Sequence, residues 1–335
     1  MTSRKPVTIR DIASLAGVSP GTVSRVMNGK PGVGADTRAR IAELIAEHGF
    51  RGDSNARQLS KGRSDSMGIV FPLQVSEVVI HPVYPELLGA ISDPAQRAGY
   101  DVSLFTTTAA EQVEHIADAF KRRRVDGLIL PAAGGDDPLI QRVVAEGVPT
   151  VLIGHRQQGP RMSWVDCSHD DAIFEVTTRH LARGARRLVL LNGPKRISAY
   201  QLRSDGFWRA AGSASAAFEE RELEMSYSSG LKVGAELVEE GLPDAVICCA
   251  DSTAAGVLEQ LTKAGVTVPD RVEVSGFDDT DYASHSSPAL TSVRMPLRET
   301  GEAAVRLLLD MIDDPALEPE PRLFPTTVMR RASTT

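Results

Sequence analysis

Between Ala16 and Lys30 the chain reads AGVSPGTVSRVMNGK, where hydroxyls, an amide and two cations recur among small residues. Ser19 followed by Pro20 marks a helix start. The hydroxyl can accept from a free N–H of the first turn, and the N–H that proline lacks has no partner to lose there. Ser19, Pro20 and Gly21 occupy the first positions of that helix, but Pro20 and Gly21 carry no side-chain donor. Hydrogen bonds to base edges therefore fall to Thr22 and Arg25, while Ser24, Asn28, Lys30 and, upstream, Thr8 suit phosphate oxygens. The charge distribution supports contact with a polyanion. Residues 1–64 hold 11 Lys/Arg against 5 Asp/Glu, a net of +6, whereas the remainder holds 26 against 39, a net of −13; together they give the formal −7 of the whole chain. Only the N-terminal piece is built to meet an anion.

The elements that position these residues follow from local rules. Thr8 and Asp11 have capping-box spacing ahead of Ile12, Ala13, Leu15 and Ala16, which predicts a helix over about 9–16, ended by Gly17. A second helix runs from Ser19 to about Met27 with Val23 and Val26 inward. A third, over about 36–48, buries Ile41, Leu44 and Ile45 and stops at Gly49. Two short capped helices joined by a three-residue turn form a helix-turn-helix, whose second helix lies in a major groove with its N-terminal positions nearest the bases. The alternative is a generic three-helix bundle.

VTIRDIASLAGVSPGTVSRVMNG and VGADTRARIAELIAEHGF together resemble the DNA-binding headpiece of the lactose-repressor/galactose-repressor family of bacterial transcription factors, with VSxxTVSRVxNG as the most specific part. The resemblance implies a hinge helix in FRGDSNARQLSKGRS. Phe50, Ala56, Arg57 and Leu59 match the family pattern there, while Gly52 and Asp53 replace its proline and asparagine. By the same resemblance Ala56 and Leu59 join the DNA-binding set, with Leu59 as an apolar wedge in the minor groove.

From Met67 onward, strand-like runs alternate with helix-length stretches: MGIVFP, YDVSLFT, VDGLILPA, PTVLIG, MSWVDCS, RLVLLNG, LEMSYS, DAVICCAD and VEVSGFDD. Such alternation predicts an α/β fold with doubly wound parallel sheets. Nine strands exceed one ordinary sheet, so two lobes are expected, with QQGPRM near 157–162 as a crossing point and a ligand cleft at the strands' carboxyl ends. The predicted organisation is a headpiece over 1–50, a hinge or linker over 51–64, and a two-lobed ligand-binding and dimerisation domain over 65–335. Its first lobe comprises about 65–161 and 293–321, its second about 162–292 and 322–335. VDGLIL, VPTVLI, RLVLLNGP, LRSDGF, SGFDDTDYA, PALTSVRMP and VMRRAST resemble the same family's effector domain, which is similar to periplasmic sugar-binding proteins. The resemblance implies that Arg203 and Asp278 contact the effector and that Asp251 matches an aspartate of a ligand motif whose asparagine is here Ala250. A structural Arg203–Asp278 ion pair is the competing reading. Tyr84 and Tyr227 complete the candidate effector set as platforms for a ring, against the alternative of ordinary core aromatics.

Other chemistries find little footing. The chain has no GxxxxGK[ST] loop, GxSxG elbow, HExxH pair or GxGxxG opening a helix after the first strand, so no catalytic residue and no cofactor are assigned. His81, His155 and His285 lack metal-ligand spacing, and Cys167, Cys248 and Cys249 read as reduced thiols. No apolar run has the length of a signal or membrane span. The expectation is a cytoplasmic, ligand-responsive transcriptional repressor. It binds a near-palindromic double-stranded operator as a homodimer and answers to a small polar effector, a sugar or sugar derivative. A solute-binding or enzymatic two-lobed protein with an accessory helical domain is the alternative.

Overall fold

The computed structural model describes residues 7–27, 29–48, 50, 63–71, 82–106, 110–131, 134, 137–157, 159, 161–212, 214–318 and 320–334. Asn28, Gly49, Gly52, Asp53, Ala56, Arg57, Leu59 and His81 lie outside these residues. The chain divides into two units, Met1–Ser64 and Asp65–Thr335.

In the first unit, α1 (Ile9–Ala16), α2 (Pro20–Met27) and α3 (Ala35–Glu47) form where their caps are. The Thr8 hydroxyl accepts from the Asp11 N–H, and the Asp11 carboxylate accepts from the Thr8 N–H at 2.8 Å, a complete capping box. Gly17 closes α1 at φ 62°, a left-handed turn that a Cβ would strain. The three helices share a small core of Ile12, Ala13, Ala16, Val23, Ile41 and Phe50.

In the second unit two six-stranded sheets are built from alternating strands and helices. The first sheet runs in the order β11-β5-β4-β3-β1-β2. Its members are β1 (Ser66–Phe71), β2 (Asp101–Thr106), β3 (Gly127–Pro131), β4 (Thr150–Ile153), β5 (Met162–Cys167) and β11 (Arg322–Phe324). All pair in parallel. Helices α4 (Val83–Arg97), α5 (Ala110–Lys121), α6 (Pro138–Ala145) and α12 (Leu297–Asp313) belong to this lobe. The central strands β1, β3 and β4 are buried along their whole length, as sheets covered on both faces require.

The second sheet has the order β12-β10-β9-β8-β6-β7. It contains β6 (Arg187–Asn192), β7 (Ala217–Glu222), β8 (Ala245–Cys248), β9 (Glu273–Asp278), β10 (Thr291–Arg294) and β12 (Thr327–Met329), the last antiparallel. Its helices are α7 (His169–Ala182), α8 (Ser198–Ala211), α9 (Tyr227–Glu240), α10 (Asp251–Lys263) and α11 (Asp281–His285).

The lobe boundaries differ from those expected. QQGPRM is not a crossing point: the residues after it form β5, which pairs with β4 from Thr150↔Met162 to Ile153↔Val165 and so stays in the first sheet. The chain crosses at Ser168, again between Arg294 and Leu297, and a third time between Phe324 and Thr327. The Ser168 N–H donates to the Phe324 carbonyl at 3.0 Å, tying the first crossing to the third. Hence 162–167 and 322–324 belong to the first lobe, and 293–294 to the second. LEMSYS is not a strand either. The strand there is AFEERE, whose charges are tolerated because β7 is a half-exposed edge of its sheet.

Candidate DNA-reading helix and effector cleft

On α2 the candidate contacts separate by how free they are. Arg25 and Lys30 are exposed, and neither side chain has a partner among the described residues. The Ser19 hydroxyl caps the helix by accepting from the Thr22 N–H at 3.2 Å, and it shares a 2.9 Å hydrogen bond with the Thr22 hydroxyl, fixing that side chain on the exposed first turn. Pro20 and Gly21 are exposed beside it, and Ser24 is half-buried. Thr8 is more committed than its assignment to phosphate implied, because its hydroxyl donates to Asp11 at 2.7 Å within the capping box. Asn28, Ala56 and Leu59 fall outside the described residues.

The second unit holds a cleft between its lobes, open to solvent and lined from both sheets. Tyr84 from α4, Asp166 from the end of β5, His169 from α7, Tyr200 and Arg203 from α8 and Asp278 from the end of β9 supply its polar lining. The position follows from topology, since the carboxyl ends of parallel strands and the helix starts beyond them converge where two such sheets face each other.

Three of the five candidate effector residues meet in this cleft: Tyr84, Arg203 and Asp278. Tyr84 packs edge-on against Phe71 with ring centres 5.0 Å apart. Arg203, only 5 % exposed, donates from Nη1 to the Cys249 carbonyl at 2.7 Å and from Nε to His169 Nδ1 at 3.3 Å, and its guanidinium lies 3.6 Å from the centre of the Phe277 ring. Asp278 sits at φ 105°, a left-handed backbone, and its carboxyl has no hydrogen-bond partner among the described residues. Burial pushes that carboxyl well above the usual range, the nearby Arg203 charge opposing and Asp251 and Glu86 adding to the rise. No ion pair joins Arg203 to Asp278, so the structural-pair reading fails on geometry. What remains is an aimed cation with donors to spare and a buried, unpartnered carboxyl.

The other two do not line the cleft. Asp251 is fully buried at the start of α10, where Oδ1 accepts from the Ser292 hydroxyl at 2.6 Å and Oδ2 from the Thr280 N–H at 2.7 Å and its hydroxyl at 3.1 Å. It braces α10 against two loops. Burial raises it to about 7. Tyr227 stands at the start of α9, stacked 6.2 Å from Tyr282, with its hydroxyl donating to Glu259. A residue beside a ligand motif in sequence thus serves the scaffold, because its side chain points behind the strand ends rather than between the lobes.

Asp166, His169 and Tyr200 were not assigned from sequence. The signal was available in VDCSHDD, acidic residues and a histidine at the carboxyl end of a strand. Asp166 Oδ1 accepts from the Cys167 N–H at 2.8 Å and from His169 Nε2 at 3.1 Å, and Oδ2 accepts from Arg156 Nε at 2.8 Å. Burial resists its ionisation, but His169 and Arg156 outweigh that and hold it below the usual carboxylate range. The donor atoms of Asp166, Cys167 and His169 lie within 4.8 Å of one another, yet both carboxylate oxygens and both ring nitrogens are spent on hydrogen bonds. With Arg156 and Arg203 facing the group, and burial raising the Cys167 thiol to about 12, the arrangement repels a cation.

A helix-turn-helix unit followed by a two-lobed α/β unit, with an apolar-walled cleft that holds a few polar groups, defines a ligand-responsive DNA-binding regulator. Comparison with known proteins agrees. Residues 8–53 match the model of bacterial regulatory proteins of the lacI family, and residues 178–334 match that of the periplasmic binding protein-like domain. The chain is 33% identical to the HTH-type transcriptional regulator MalR of Streptomyces coelicolor, covering 96% of this chain and 95% of that protein. It is 30% identical to the HTH-type transcriptional regulator CelR of Thermobifida fusca over 99% and 100%. Among solved structures, the lac repressor dimer bound to operator and the anti-inducer ONPF superposes with a TM-score of 0.88 at 28% identity, covering 98% of this chain and 99% of that one. A CelR–cellobiose complex does so at 0.74 and 29%, with the same coverage. The chain belongs to the lacI family of bacterial regulatory proteins and is a transcriptional regulator; these relatives are regulators rather than enzymes. No helix among the described residues is long and apolar enough to cross a membrane.

Proposed function

We propose that this regulator is a repressor that binds a near-palindromic operator as a homodimer and is controlled by a mono- or disaccharide held between Arg203 and Asp278. The observation that carries the effector reading is the Asp278 carboxyl, on a residue only 8 % exposed and without a hydrogen-bond partner among the described residues. Burial favours its neutral form, which can both donate to and accept from a hydroxyl, while Arg203 offers only donors. Tyr84 and the apolar walls of Val83, Leu87, Ile153 and Leu297 suit the carbon face of a sugar ring. The printed subjects of the relatives, cellobiose for CelR and operator DNA for the lac repressor, support the same pairing of ligands.

Thr22 and Arg25 read base edges in this scheme, Ser24, Asn28 and Lys30 contact phosphates beside the Ser19 cap, and Leu59 enters the minor groove while Ala56 packs against its counterpart in the partner's hinge. The protein works in the cytoplasm on the nucleoid and catalyses no reaction. A gel shift of the full chain on DNA flanking its own gene, repeated with cellobiose and a panel of other saccharides, tests the reading. The expected result is a specific shift that one saccharide changes at least tenfold. No specific shift, or turnover of the saccharide, overturns it.

A further inference from the structure

The hydrogen bonds around His169 determine its charge state. Arg203 Nε can only donate, and an ionised carboxylate can only accept. His169 Nδ1, 3.3 Å from Arg203 Nε, is therefore the bare nitrogen, and Nε2, 3.1 Å from Asp166 Oδ1, carries the proton. A doubly protonated ring would set an N–H against an N–H and a cation against a cation. We propose that His169, as the neutral Nε2–H tautomer, is the positioning residue that aims Arg203 into the cleft, and that its protonation releases Arg203 and weakens the hold on the effector. The role in effector binding rests on reading the cleft as the effector site.

The surroundings of the ring favour that state on balance, with Asp166 alone opposing it among the causes of the shift. His169 is 3 % exposed and stacked on Phe277 with ring centres 5.7 Å apart. Asp166 and Cys167 face it from β5, Arg156 from the segment after β4 and Arg203 from α8; Asp278, at the end of β9, adjoins Arg203. Burial holds His169 below the ordinary histidine range, the Asp166 hydrogen bond opposing and the Arg203 charge assisting. Its protonation therefore sets in only below that range. On acidification Asp166 is held ionised and the Cys167 thiol stays neutral, burial favours the neutral form of Asp278, and Asp251, raised to about 7, titrates at the start of α10 outside the cleft lining. A loss of grip on acidification that His169→Gln removes then belongs to His169 and not to Asp251.

The test needs no effector. In the full chain labelled with ¹⁵N, the Arg203 Nε–H resonance, assigned by its absence in Arg203→Lys, is followed from neutral to acidic pH. We expect a slowly exchanging signal at neutral pH that shifts and loses at least about tenfold of its exchange protection as His169 protonates. His169→Gln, whose amide can donate to Asp166 and accept from Arg203 without titrating, keeps the protected signal and abolishes the shift. His169→Leu loses the protection at every pH. An Arg203 signal that ignores pH in the wild type, or a His169→Gln profile that still titrates, overturns the proposal even if His169→Leu does not fold. If the cleft is not an effector site, no saccharide will bind, but these spectra will be unaffected.

Discussion

The headpiece and the effector unit present their recognition groups in opposite ways. On α2 the useful side chains belong to one helix, and its one cation, Arg25, is exposed without a partner among the described residues. In the cleft, Arg203 and Asp278 come from different elements and are nearly buried, and Arg203 is held by a carbonyl, an imidazole and an aromatic face. A helix that meets DNA needs only its spacing and its charge. A cleft that distinguishes one small polar molecule from another needs groups whose positions are fixed before the ligand arrives.

The widest gap between the two units is expected for charge. A chain lacking residues 1–64 should lose operator binding altogether, because the remaining net charge of −13 repels DNA. Binding by the full chain should fall steeply with added salt. A log-log salt slope near zero, or a shift by the truncated chain, would remove the contrast. Leu59→Ala should come next. If two hinge segments are ordered only on the operator, the variant weakens operator binding strongly and blunts the effector's influence on it, since coupling between such sites is reciprocal and typically about 1–3 kcal/mol. Full affinity together with a full response would make the segment a passive tether.

Arg203→Ala and Asp278→Ala should each cost about 1.5–3 kcal/mol of effector affinity, roughly ten- to hundredfold, with a cooperative melt retained. Calorimetry on the saccharide found by screening decides it, and unchanged affinity in both variants would reassign the cleft. Arg25→Ala should cost about 1–3 kcal/mol on the operator and far less on random DNA if the guanidinium reads a base bidentately. Equal losses on both would move Arg25 to the phosphates.

The same contrast explains what the sequence made readable. Capping and turn signals at Thr8, Asp11, Gly17 and Ser19 act within three or four residues, so the helices of the headpiece and the side chains on α2 could be placed from spacing alone. In the second unit, strand and helix types came through because buried parallel strands read as apolar runs, but the polar edge strand β7 did not. The lobe crossings were misplaced because a turn rich in glycine and proline looks alike within a sheet and between two sheets. Arg203 and Asp278 were assigned through family resemblance, whereas the chain from Asp166 through His169 to Arg203 joins β5, α7 and α8, a relation carried by no local pattern.

Asp251 and Tyr227 sharpen the comparison, since resemblance implied the first and its aromatic ring suggested the second as effector contacts, and neither lines the cleft. Removing the Asp251 carboxyl strands the Ser292 and Thr280 donors, and a buried group left without its partner costs about 1–3 kcal/mol. Asp251→Ala should therefore lower thermal stability, while the chains that remain folded bind effector as the wild type does. Tyr227→Phe should do less still. It removes a hydroxyl whose acceptor, Glu259, also receives Lys263 at 2.5 Å and meets solvent, so no buried group is orphaned and the stacking on Tyr282 survives. The expected change is under about 0.5 kcal/mol in stability, as for surface substitutions generally, and none in effector affinity. A tenfold loss of effector affinity in Tyr227→Phe, measured by calorimetry beside Arg203→Ala, would mean that the start of α9 reaches the ligand and that the cleft extends beyond the residues that line it here.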